Sequence, residues 1–263
     1  LTTARNLDFP GDRTFTGNVF LRSRTGNVTV QDLTSDQGSL TVVSDQGNIT
    51  YDDLNAATTI DLTATQGFIT GTSILAGGNT RVRADGEVVV TGTIVSGGYD
   101  ARSESDRFQG TTITGTGPIS IFANLDLVVD NITNPIGNSI RIESATGQIM
   151  AGNLSTTAPT GGDITVLAQT QITSGFIESR GTGGNGGNVF VDPVGDVIIP
   201  WIDASGSGGS VGGTIFVETT AGDLRFTGLV PNAGCAGTSV CTTSGSRVDL
   251  RHGGAAPGGA PTF

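Results

Sequence analysis

The chain has 263 residues, 42 of them glycine, with an aromatic share of 5%, so large rings cannot supply the bulk of a core. The net charge is −11, with a single histidine and no basic tract, which argues against nucleic acid as a partner. No run of eighteen apolar residues exists, so no transmembrane segment is expected. The start at Leu1-Thr2-Thr3, with neither methionine nor a signal-peptide layout, suggests a processed or excised piece of a longer polypeptide.

Residues 1–16 read as a partial coil or lead-in. From Gly17 the chain settles into a repeated phrase: Gly17-Asn18-Val19-Phe20-Leu21-Arg22, then Gly26-Asn27-Val28-Thr29-Val30-Gln31, then Asp32-Leu33-Thr34. Period-two alternation sends Val19, Leu21, Val28 and Val30 to one side, with Phe20 an apolar exception on the other. The next lap repeats it as Ser39-Leu40-Thr41-Val42, Asn48-Ile49-Thr50-Tyr51 and Asp53-Leu54-Asn55.

One apolar position returns every nineteen to twenty-seven residues as Leu33, Leu54, Ile74, Ile94, Ile113, Ile132, Leu154, Ile177, Ile202 and Leu229. A glycine series keeps phase with it through Gly17, Gly38, Gly78, Gly98, Gly117, Gly137, Gly162, Gly187 and Gly213, with Thr58 in one place. Such a period means stacked units, none able to bury its apolar face alone. Short β-branched strands between Gly, Asn, Asp and Ser exclude helical solenoids, which leaves an all-β fold: a parallel β-helix of three short strands per coil, with about ten coils of roughly 20–26 residues over 17–251. Glycine and asparagine are expected to supply the corner dihedrals. The coil about Gly98 departs from the pattern.

The third corner lengthens toward the C-terminus, after Leu154, Ile177, Ile202 and Leu229, and this lateral ridge is the first candidate contact surface, with drift of untethered Gly-Ser turns as the alternative. The last corner contains Cys235 and Cys241, whose spacing can close a small loop. A disulfide is the first reading and two free thiols the second. The tail from His252 to Phe263 is a Gly/Ala/Pro-rich linker.

Chemistry is sparse. With one histidine, placed in the tail, nucleophilic triads have little to work with. The set Asp85, Glu87, Asp100, Glu104 and Asp106 is interleaved with Arg81, Arg83, Arg102 and Arg107 and reads as a solvated ion-pair lattice. Asp192, Asp196 and Asp203, beyond a Gly-rich stretch, are the oxygen donors to test for calcium; no other cofactor is implied. Four Asn-x-Ser/Thr sequons begin at Asn27, Asn48, Asn131 and Asn153 and fall out of a repeat rich in asparagine and threonine.

The units Gly26-Asn27-Val28-Thr29-Val30, Gly47-Asn48-Ile49-Thr50, Gly161 to Val166 and Gly186 to Val191, with the closing Arg247-Val248-Asp249-Leu250-Arg251-His252-Gly253-Gly254, resemble the repeat region of filamentous-haemagglutinin-like exoproteins of cyanobacterial type. The resemblance covers roughly Gly17 to Gly254. It implies right-handed β-helix rods, exported by two-partner secretion and used at the cell surface for adhesion, aggregation or biofilm, without a catalytic site. Neither end shows a polar cap, so further repeats or end-to-end self-association are expected, with a surface glycan as a possible partner. A polysaccharide-active β-helix enzyme and a glycan- or calcium-binding module are the rival readings.

Overall fold

The computed structural model describes residues 1–231, 235, 237–243 and 245–252. Most of the expected linker, 253–263, thus lies outside the described residues. The described residues form strands and turns with no helix, in two compact units, Leu1–Asp130 and Asn131–Phe263. Each is a stack of parallel coils, a β-solenoid.

In the first unit one sheet runs through Thr2–Thr3, Val19–Ser23, Leu40–Ser44, Ile60–Ala64, Thr80–Ala84, Tyr99–Ser103 and Ile119–Ala123. The other runs through Leu7–Phe9, Val28–Ser35, Ile49–Ala56, Ile69–Ala76, Val88–Ser96 and Phe108–Gly115. The second and third strands expected in each coil are therefore one continuous strand here. It turns the corner by an inward step of three: Val28 and Val30 point in, then Leu33 and Ser35. Residues 1–16 supply three short strands in register with the following coil, Thr2 beside Arg22, Leu7 beside Val28 and Arg13 beside Leu33.

The coil about Gly98 has a definite register, Thr80 to Tyr99 to Ile119. The irregularity lies one strand earlier, where Val88–Ser96 carries an extra residue, absorbed by a register shift between Val90 and Ile94.

In the second unit Ile140–Ser144, Ile164–Ala168, Val189–Pro193, Ile215–Thr219 and Val248–His252 form one face. The other two faces separate into distinct strands, Ile149–Ala151 from Leu154–Ser155, Ile172–Ser174 from Ile177–Glu178, and Val197–Ile199 from Ile202–Asp203. His252 belongs to this unit and not to a tail: it ends a strand, lies opposite Thr219, and its Nε2 is 3.2 Å from Asp223 Oδ1.

Aliphatic columns hold both units together. Leu33, Leu54, Ile74, Ile94 and Ile113 are register neighbours in the first, and Ile132, Leu154, Ile177 and Ile202 in the second; all are buried. Each such side chain contributes about 1.5–3 kcal/mol. Leu229 does not belong to the column: it is 59% exposed, and Val240 pairs with Ile202 in its place. The cause is an insertion, because thirteen residues, 227–239, separate Leu224–Phe226 from Val240–Cys241, where earlier coils of this unit have two. Leu229 keeps the sequence spacing but sits in that insertion.

Polar side chains fasten the corners. The Ser44 hydroxyl, fully buried, donates to the Gly26 carbonyl at 2.9 Å and accepts from the Gly47 amide at 3.0 Å, so its burial leaves nothing unpaired. At another corner Asn27 Oδ1 accepts the Asn48 amide at 2.9 Å, and Asn48 Oδ1 the Phe68 amide at 3.1 Å.

Asn131 and Asn153 do the same for the amides of Asn153 and Phe176. All four sequon asparagines are thus rungs between coils. Most of the repeat glycines work by close approach and not by unusual dihedrals, Gly137 with φ of 83° being an exception. Gly38, Gly78, Gly117, Gly162, Gly187 and Gly213 have ordinary φ, yet a Cβ on any of them would run into backbone one coil away. No described non-glycine residue has positive φ, which corrects the expectation that asparagine supplies corner dihedrals.

Candidate functional site

The second unit differs from its own core pattern at one edge, where the loops 156–163, 179–188, 204–214 and 242–247 follow the third strand of successive coils. They are not untethered turns. Ala158 N donates to Arg180 O at 3.2 Å and Gly181 N to Ser205 O at 2.9 Å, while Gly161 N donates to Asn185 O and Gly186 N to Val211 O. Inside them the Thr156 and Ser179 hydroxyls both donate to Gly162 O, at 2.7 and 2.6 Å. Loop therefore lies on loop with the same regularity as strand on strand, and the ridge is a built surface.

Cys235 and Cys241 form a disulfide with Cα atoms 5.7 Å apart. It ties the 227–239 insertion to the third face and packs with Val230 and Trp201 in a small satellite core. Cys241 stands opposite Asp203, which is 1% exposed and accepts the Ser205 amide at 2.9 Å. Asp203 and the two sulfurs lie within 4.8 Å of one another. Sulfurs shared in a disulfide offer no thiolate, so the oxidised pair cannot serve as metal ligands.

The three carboxylates expected to gather around calcium are dispersed. Asp192 lies on the first face beside Leu167, and its carboxyl is pushed above the ordinary value by partial burial and then by Glu218. Asp196 sits at a corner, its Oδ1 accepting the Asp223 amide at 2.8 Å. Asp203 is enclosed on the third face. Burial of Asp203 and the corner hydrogen bond of Asp196 assign those two to the scaffold, while Asp192 stands half-buried on the first face.

The Arg/Glu/Asp set of the first unit is an ion-pair lattice on the outer surface: Arg83 pairs with Asp100, Arg107 with Glu87, and Arg102 with Glu104 at 2.6 Å. Arg102 also lies 4.4 Å above the ring of Phe122. These pairs are largely exposed and contribute little each.

Two features of the second unit escaped the sequence reading. Phe190 and Phe216, register neighbours with outward rings, stack at 5.0 Å with an interplanar angle of 5°, and Arg251 covers Phe216 at 4.9 Å. Phe176 stacks on Trp201 at 4.5 Å. The signal for the first pair was present in Asn188-Val189-Phe190-Val191 and Thr214-Ile215-Phe216-Val217, where the same outward position is aromatic twice.

The second feature is a cavity of about 390 Å³ in the ridge, lined by Arg180, Thr182, Ser205, Ser207, Cys235 and Thr243. The Arg180 Nε is buried without a hydrogen-bond partner, and its nearest carboxylate oxygen, from Glu178, is 3.7 Å away. Nothing in the sequence marks Arg180 as different from the other arginines. Comparison with protein-family models, curated proteins and solved structures finds no match.

Proposed function

We propose that this chain is a non-enzymatic structural or adhesive segment of an extracellular or cell-surface filament, as its resemblance to filamentous-haemagglutinin-like exoproteins implies. The observation that carries the reading is the residue-on-residue register of successive coils, in which aliphatic columns, serine and asparagine rungs and glycine stacks recur. A chain so organised devotes its sequence to an extended, regular surface.

The paired cysteines support an oxidising location, since disulfides persist outside the reducing cytosol. Ion pairs such as Arg22–Asp45 and Arg141–Glu143, spread singly over the surface, fit a solvated flank. Electron microscopy and a surface-binding assay of the purified chain test the reading. Fibres, or saturable attachment to cells or glycan-coated surfaces, are expected, and a monomer with neither property would overturn it.

A polysaccharide-active enzyme is favoured by one specific observation. Asp192, with its raised carboxyl, and Glu218 lie on the same face as Phe190 and Phe216, so two carboxyl groups stand beside an outward aromatic pair. Release of reducing ends from an acidic polysaccharide, lost in Asp192→Asn, would establish that alternative in place of the structural one.

A further inference from the structure

We propose that the ridge cavity of the second unit binds a sugar unit bearing a carboxylate or a sulfate ester, with the Arg180 guanidinium as the charged donor. This deepens the adhesive reading and rests on it. Arg180 is the charged group lining the cavity; its side chain is about one-third exposed, and the carboxylate that pairs with it, Glu178 at 3.7 Å, is too distant for a hydrogen bond. The exposed part of the guanidinium side chain can take a carboxylate or sulfate through charge-assisted bonds, which are stronger than neutral ones.

The remaining lining is rich in hydroxyls. Thr182 Oγ1 donates to Ala158 O at 3.1 Å, and Thr243 Oγ1 donates to Ser210 O at 3.1 Å while accepting the Gly206 amide at 3.2 Å. Both threonine protons are thus committed within the ridge, and their oxygens offer acceptor lone pairs to the hydroxyls of a polyol, beside Ser205 and Ser207. The volume falls within the usual range for small-ligand sites.

The walls are held from two sides. Loop-to-loop hydrogen bonds fix 179–188 and 204–214, and the disulfide places Cys235 at the rim. A net charge of −11 repels polyanions at long range, so a short anionic oligosaccharide is favoured over a long acidic chain.

The test titrates the full chain with digalacturonic acid, a sulfated disaccharide, inorganic sulfate and maltose, followed by ligand-observed NMR or calorimetry. Saturable binding of either anionic disaccharide is expected, and which one binds identifies the anion. Arg180→Gln should weaken it about tenfold or more, Arg180→Lys should restore part of it, and Arg141→Gln, in an exposed pair on another face, should leave it unchanged. Reduction of the disulfide should also weaken it.

Circular dichroism melting of Arg180→Gln, matched to the parent, shows that the loss is local. Failure of both disaccharides to bind at millimolar concentration, or equal binding by Arg180→Gln, overturns the proposal. Equal affinity for maltose removes the anion from it, and equal affinity for inorganic sulfate removes the sugar. Persistence of surface attachment in Arg180→Gln would sink the cavity while leaving the adhesive reading standing.

Discussion

The two units solve one problem with different coil lengths. In the first, Val19, Leu40, Ile60, Thr80, Tyr99 and Ile119 succeed one another at nineteen to twenty-one residues, and the long strand bends without breaking. In the second, Ile140, Ile164, Val189, Ile215 and Val248 are twenty-four to thirty-three apart, the strand splits, and the surplus enters loops. The aliphatic column is equally buried in both. A solenoid core therefore needs only its inward positions in phase; residues between them are free to lengthen, and in the second unit they form the loops that line an open cavity.

A charge in the column should have the largest effect, and comparing the units shows how far it spreads. Leu54→Asp and Ile177→Asp each bury a carboxylate with no partner and should cost about 4 kcal/mol or more. Hydrogen exchange should show two or three coils opening around either site. Protection unchanged in Ile177→Asp would mean that the second unit does not depend on its column.

The disulfide belongs to the second unit alone. Replacing Cys235 and Cys241 by serine should cost about 2 kcal/mol through loss of a small closed loop. The loss of exchange protection should be confined to the last two coils, with the first unit unaffected. Equal weakening of both units would remove the distinction drawn here.

How much of this was legible in sequence follows the same division. Period-two alternation and the recurring apolar position identified a parallel solenoid, because a column must be filled once per lap whatever the corners do. Leu229 was misplaced for the complementary reason: apolar spacing cannot distinguish a coil position from an insertion of similar length, and only pairing of Val240 with Ile202 separates them. Arg180 was illegible because its significance lies in which loops surround it, a property of the stack and not of any window of sequence. The sequons of Asn27, Asn48, Asn131 and Asn153 were visible but ambiguous until their carbonyl oxygens were seen to accept amides from the next coil.

The first unit has its own signature in Tyr51 and Gly71, register neighbours in which the ring of Tyr51 occupies the space a Cβ at 71 would need. Gly71→Ala should cost about 1–3 kcal/mol by overpacking. Tyr51→Val, matching Val30 in the preceding coil, should relieve the clash, so the double variant should lose less than the two single losses added. Strict additivity in denaturant unfolding would contradict the packing described.

The smallest effect is a gain, and it depends on pH. Both tyrosines, Tyr51 and Tyr99, lie in the first unit, fully enclosed, with hydroxyls lacking a hydrogen-bond partner. Tyr51→Phe removes an unpaired polar atom at nearly constant shape and should stabilise the unit by about 1 kcal/mol at neutral pH. Burial holds both phenols protonated well above their ordinary value of 10, whereas in the unfolded chain they ionise near it. Above pH 10 the unfolded state releases protons that the folded state keeps, so the first unit should weaken progressively as pH rises. The Tyr51→Phe, Tyr99→Phe double variant should lose that dependence. The second unit contains no tyrosine, so exchange protection around Ile177 should change less than around Leu54 as alkali is added to the parent. A fall of equal steepness in both units would show that the buried phenols do not govern alkaline unfolding.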